Sequence, residues 1–127
     1  MTRFRVLIVD DMAQVRQDLR TVLILAGMAC GTPLEIVGAA ANGQEAIQQV
    51  EALHPDVVLM DLAMPVMDGW TATRQIKALF PSIRVIALTV HSNPESRQKA
   101  YLSGIDSFIE KGAPATDIVR AIEGNEI

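Results

Sequence analysis

The sequence is short of cysteine, of aromatic residues, of long apolar runs and of basic charge, and each shortage removes a class of protein. Cys30 is the single cysteine, so no disulfide can form within the chain, and a small disulfide-stapled framework is excluded. Aromatic residues make up 4% of the chain, which argues against an aromatic-rich β-sandwich. No apolar stretch approaches the roughly 20 residues that cross a bilayer. Arg3 and Arg5 do precede an apolar run, but Val6-Leu7-Ile8-Val9 stops at Asp10-Asp11, too soon for a signal-peptide core. A cytoplasmic location is therefore expected, with no membrane partner. Eleven basic residues stand against 15 acidic ones, for a net charge of −4, so the segment offers no footprint for a nucleic-acid backbone. His54 and His91 are the only histidines, and without neighbouring cysteine they make no zinc pattern.

What the chain does have is aliphatic bulk in an alternating arrangement. Half of its 127 residues are hydrophobic, enough for a single domain with its own core. Short β-branched runs alternate with stretches of helical period, the pattern of βα units feeding a parallel sheet. Strands are expected at residues 6–9, 34–39, 57–60, 85–88 and 105–109. The first does not alternate with polar residues, as expected of a strand buried on both faces. Val15, Leu19, Val22, Leu23 and Ala26 form one apolar helical stripe, with Asp11 as a candidate N-cap. Residues 27–33, with two glycines and a proline, read as a connection. Asn42-Gly43 reads as a turn, and Ala46, Ile47, Val50 and Leu53 give a second helix that His54-Pro55 ends. A third helix runs over 70–79, and Asp68-Gly69 before it is a turn signal. Ser92-Asn93-Pro94-Glu95 opens a fourth, through about Ser103, and Pro114 opens a last one through Ile118, Val119 and Ile122.

In this reading Asp10, Asp11, Asp61, Thr89 and Lys111 all stand just past the carboxyl ends of strands, where ligands bind in open α/β sheets. Each alone has an ordinary explanation: an acidic pair is commonly a turn or cap, and a lone lysine a solvated charge. Together they form a chemical set. Three convergent carboxylates repel one another unless a cation sits among them, and Mg²⁺ prefers oxygen ligands and keeps waters that a phosphoryl oxygen can displace. A carboxylate can also attack phosphorus to give an aspartyl phosphate. Lys111 then supplies an ammonium, and Thr89 a hydroxyl, to the transferred group. Met60, Met64 and Met67 flank this region and read as core filler.

These pieces resemble the receiver domain of two-component response regulators along essentially the whole chain. The resemblance rests on Val6 to Asp11, on Asp61-Leu62-Ala63-Met64-Pro65 with Asp68-Gly69, on Val85 to Thr89, and on Phe108-Ile109-Glu110-Lys111. It implies a flavodoxin-like (βα)5 fold with strand order 2-1-3-4-5, in a single domain over 1–127 without an output domain. By the same resemblance Asp61 is the phosphoacceptor. Asp10, Asp11, Asp61 and the Ala63 backbone carbonyl hold Mg²⁺, Thr89 and Phe108 are the switch pair, and Lys111 contacts the phosphoryl group. The implied donor is a histidine kinase or phosphotransfer protein. The output is a domain of the kind that carries a helix-turn-helix, or a downstream partner, and a phosphorylation-dependent homodimer is left open. Such a domain is a signalling element, not an enzyme, beyond taking phosphate from small donors and losing it slowly. Gly112 departs from the proline common after the lysine, Val90 from a smaller residue, and residues 30–33 lengthen the chain between Asp11 and Asp61. Ala63 and His91 stand where the family tunes dephosphorylation. A haloacid-dehalogenase-like phosphatase would need Asp-x-Asp where Asp10-Asp11 stand, and a flavodoxin a phosphate loop without two acids.

Overall fold

The apolar runs pair side by side into one parallel sheet. In the computed structural model, which describes residues 3–125, the strands are β1 (Phe4–Val9), β2 (Leu34–Ala40), β3 (Val57–Met60), β4 (Arg84–Thr89) and β5 (Ser107–Glu110). Between and after them run α1 (Ala13–Ala29), α2 (Gly43–Leu53), α3 (Gly69–Leu79), α4 (Pro94–Ser103) and α5 (Ala115–Glu123). The strand order is β2-β1-β3-β4-β5, with every pair parallel. The expected flavodoxin-like topology is thus the observed one.

Successive strand residues serve opposite layers, which explains why the central runs are apolar without alternation. Leu7, Val9, Val58, Met60, Val85 and Ala87 face a core closed by Ala46 and Val50 of α2, Ala72 and Ile76 of α3, and Ala100 of α4. Val6, Ile8, Val57, Leu59, Ile86 and Leu88 face the other core, closed by Leu23 of α1 and by Ile118, Ala121 and Ile122 of α5. Truncating one of these fully buried aliphatics to alanine costs about 2–5 kcal/mol. The two layers hold the carboxyl ends of β1, β3 and β4 in register, with Val9 opposite Met60 and Met60 opposite Ala87.

Several local expectations are corrected. α1 does not stop before residue 27 but runs through Gly27 to Ala29. Gly27 is a contact point inside the helix, since a Cβ there would lie 2.6 Å from the Thr32 carbonyl oxygen. Asp11 does not cap α1; the N-cap is Met12, with no side-chain cap bond. Val22 lies outside the buried stripe, which centres on Leu23 and Gly27. β5 is offset to Ser107–Glu110 because Ile105 is a buried anchor before the strand. β1 and β2 slip register between Val6 and Leu7, opposite Ile36 and Gly38. No peptide bond is cis among the described residues, so Gly112 follows Lys111 in trans, at a φ of 99° that suits glycine.

Candidate functional site

Backbone hydrogen bonds just beyond the strands bring the acids together. Asp10 N donates to Ala40 O at 3.0 Å, Asp61 N to Val9 O at 3.0 Å, and Lys111 N to Thr89 O at 2.9 Å. Each therefore leaves its strand with its position fixed by a neighbouring one. α3 closes over the Asp61 turn: Asp68 caps the helix by accepting from Thr71 N at 2.7 Å, and Gly69 N donates to Leu62 O at 2.8 Å. Only glycine fits at 69, because a Cβ would stand 2.1 Å from the Asp61 carbonyl oxygen.

Carboxylate oxygens of Asp10, Asp11 and Asp61 lie within 4.8 Å of one another. Asp10 and Asp61 are buried and Asp11 is exposed. Asp10 is held at both oxygens: Oδ1 accepts from Met12 N at 2.9 Å, and the buried Oδ2 makes no hydrogen bond but is ion-paired with Lys111 Nζ at 2.5 Å. Asp61 is freer. Its Oδ1 accepts from Leu62 N at 2.9 Å, while its Oδ2 is 3.5 Å from Lys111 Nζ. Burial pushes the Asp61 carboxyl above the usual carboxylate range; Lys111 pulls it back and Asp10 pushes it further. Burial alone would lower Lys111, but its bond to Asp10 and the charges of Asp61 and Asp10 outweigh that and raise it. Three carboxylates against one ammonium leave two uncompensated negative charges, in an all-oxygen donor set. That chemistry fits a hard divalent cation such as Mg²⁺.

The other expected residues are Ala63, Thr89 and Phe108. Ala63 is exposed on the loop two residues after Asp61. Thr89 is fully buried, and its Oγ1 accepts from His91 N at 3.1 Å. Phe108, opposite Ala87 on β5, is half-buried, with the Arg97 guanidinium carbon 4.8 Å from its ring centroid. Sequence reasoning missed Arg16, whose Nη1 donates to the Asp10 carbonyl at 2.7 Å and fastens the acidic turn to α1. A cation in a helix's opening turns runs against the helix dipole, and that was the available signal. It also missed Val66, which holds a positive φ of 67° at the centre of a turn closed by Met67 N donating to Pro65 O at 2.7 Å.

A family model for the response regulator receiver domain matches residues 6–123, a span that includes every strand-end residue above. The chain belongs to that family. As a receiver it is a signalling domain of two-component systems, the phosphoryl-accepting part of a response regulator. It is 38% identical over 118 residues to the response regulator VraR of Staphylococcus saprophyticus, matching 93% of this chain and 54% of that protein. The chain thus spans about half the length of the curated relatives it matches. Among solved structures it is similar to a DNA-binding response regulator of the LuxR family from Staphylococcus aureus, with a TM-score of 0.86 at 26% identity over 96% of this chain and 98% of that one. It is also similar to a chain of the CheX–CheY complex with BeF3 and Mg²⁺ from Borrelia burgdorferi, with a TM-score of 0.83 at 26% identity over 95% and 87% of the two chains. Among the described residues no helix is long and apolar enough to cross a membrane.

Proposed function

We propose that this receiver is phosphorylated on Asp61, with Asp10, Asp11, Asp61 and the Ala63 carbonyl holding Mg²⁺. The observation that carries the choice of nucleophile is the inequality between the two buried acids. Asp10 Oδ1 accepts from Met12 N and Asp10 Oδ2 is closely ion-paired with Lys111, whereas Asp61 Oδ2 has only the longer contact to Lys111. Asp61 Oδ2 is thus the less tightly held of the two buried carboxylate oxygens that face Lys111.

In the transfer, that oxygen attacks phosphorus as the bond from phosphorus to the donor's imidazole nitrogen breaks, and the imidazole leaves with the electron pair. An acyl phosphate remains on Asp61. With acetyl phosphate the broken bond is phosphorus to oxygen, and acetate leaves. Mg²⁺, when bound, supplies positive charge to the carboxylates and the transferred oxygens. Lys111 places an ammonium beside the acceptor oxygen and stabilises the incoming charge. Leu62 N–H holds the other Asp61 oxygen and so orients the attacking one. The Thr89 hydroxyl leaves its bond to His91 N to donate to a phosphoryl oxygen, and the space it vacates admits the Phe108 ring. That movement changes the surface of α4, β5 and α5. Its readers are an output domain of the kind found in DNA-binding relatives or a downstream protein, and the donor is a histidine kinase or phosphotransfer protein. Loss of the phosphoryl group by hydrolysis is slow.

Intact-mass measurement with acetyl phosphate tests this assignment. The protein gains one phosphoryl group when Mg²⁺ is present, and neither the chelated protein nor Asp61→Asn does so. Phosphorylation of Asp61→Asn at the wild-type rate would overturn the assignment.

A further inference from the structure

α4 is shallowly seated. Of its ten residues only Ala100 and Ser103 are buried, whereas the nine-residue α5 buries Ile118, Val119, Ala121 and Ile122. A helix with so little apolar anchorage depends on whatever else holds it. Two cations do so. Arg97 lies over the Phe108 ring of β5, 4.8 Å from its centroid, and Lys99 Nζ lies over the Trp70 ring of α3 at 4.1 Å. Residues two apart project from different sides of a helix, so the pair grips α4 on opposite flanks. Arg97 had alternatives: Glu110 and Asp117 line the same cavity of about 400 Å³ between α4, β5 and α5. Among the described residues it nonetheless makes no ion pair and sits on the aromatic face.

We propose that Arg97 is a positioning residue for the phosphorylation switch, a latch that holds Phe108 and α4 together before phosphorylation and must let go for the ring to turn inward. The proposal rests on the reading of Phe108 as the ring that moves. The Phe108 ring is half-buried and carries Arg97 on its face, an arrangement that turning the ring inward would break. A contact present only before the ring turns biases the equilibrium toward that state. Losing the contact therefore tightens any ligand that selects the other state.

Beryllofluoride with Mg²⁺, a stable mimic of the phosphoryl group, is the probe, and calorimetry gives its affinity for wild type, Arg97→Ala, Arg97→Lys, Phe108→Leu and the double variant Arg97→Ala/Phe108→Leu. An exposed cation–π contact corresponds to a change of about two- to fivefold. Arg97→Ala binds the mimic tighter by that factor, Arg97→Lys stays near wild type, and Arg97→Ala has no further effect once Phe108 is leucine. General electrostatics predicts the opposite sign, because removing a cation weakens binding of an anion. Unchanged or weaker binding in Arg97→Ala overturns the latch, as does an equal effect with and without the ring. Failure of the wild type to bind beryllofluoride at all would instead overturn the phosphoacceptor reading.

Discussion

Replacing Asp61 by asparagine should stabilise the metal-free domain while removing its response to Mg²⁺. The buried carboxylate has Lys111 at 3.5 Å and carboxylate neighbours within 4.8 Å. At an effective dielectric near 20 these distances correspond to about 4.7 kcal/mol of attraction and about 3.5 kcal/mol of repulsion per close pair. Asp11 is exposed, so water screens its charge; the Lys111 attraction and the Asp10 repulsion that remain nearly cancel, and burial, the largest cause of the raised pKa, decides the balance. Burying one ion costs several kcal/mol even after relaxation, and the Leu62 N–H bond returns about 1.5–3 kcal/mol of it. Neutralising the side chain should therefore gain about 2 kcal/mol. An unfolding entropy of about 2.1 cal/mol/K per residue makes that a rise in Tm of roughly 8 °C for a chain of this length. The difference depends on pH. Because the folded pKa is raised, the ionised group's penalty is absent below the ordinary aspartate value near pH 4 and grows as pH rises through the folded value. The gap between the two proteins should accordingly close in acid. Mg²⁺ at a hundredfold excess over its dissociation constant adds about 2.7 kcal/mol to the wild type, roughly 10 °C more, and little to Asp61→Asn. Thermal melts in chelator and in Mg²⁺, at pH 4 and pH 7.5, read all four quantities. A less stable Asp61→Asn in chelator, with an undiminished Mg²⁺ shift, would refute the reasoning.

Three other substitutions probe separate parts of the site. Lys111→Ala should keep the fold but bind beryllofluoride at least tenfold more weakly, since the loss of one charge-assisted bond is worth about 1.5–3 kcal/mol; calorimetry checks it, and wild-type affinity would remove Lys111 from the phosphoryl site. Thr89→Ala should still be phosphorylated on Asp61 but show smaller NMR shift changes around Phe108 and α4 when beryllofluoride binds, because the hydroxyl that links the two is gone. Gly69→Ala should lower Tm by roughly 4–12 °C, the range that follows from an overpacking cost of about 1–3 kcal/mol, since the obstructing atom is backbone and cannot rotate away; a melt at the wild-type temperature would mean that α3 shifts freely against the Asp61 turn.

The strands are legible because burial on both faces removes polar residues from the central ones, and Asp10, Asp61 and Thr89 stand out as the first polar residues after such apolar runs, with Lys111 directly after β5. Helix ends were harder to read. Asn42 and Asp68 look like turn residues in the sequence, yet both cap helices, accepting from Glu45 N and Thr71 N. The same short side chains serve both purposes, and the fold chooses between them. Gly27 reads as a breaker by propensity but is tolerated inside α1 because the following loop packs against it. Asp10 and Asp11 look like an equal pair in the sequence, while the structure gives them unequal parts, one buried and ion-paired with Lys111, the other exposed. The reach of Arg16 to the Asp10 carbonyl and of Arg97 to Phe108 was not legible, because a long flexible side chain finds its partner only after its helix has docked.

Val66 gives the loop after Asp61 the character of a loaded spring. A β-branched residue at positive φ carries about 1–3 kcal/mol of backbone strain, and with 77% of its surface exposed this side chain recovers little of it by packing. The conformation must be imposed by its neighbours: the Pro65 to Met67 turn on one side and the capped start of α3 on the other. Whenever either restraint slackens, the loop gains by letting Val66 fall back to an extended geometry, and it would pull the Ala63 carbonyl along with it. Under the proposed metal site, the order of this loop is thus a lever on metal affinity that acts without touching a single carboxylate. Position 66 becomes the natural place to tune it, since Val66→Gly would unload the spring and leave Asp10, Asp11 and Asp61 as they are.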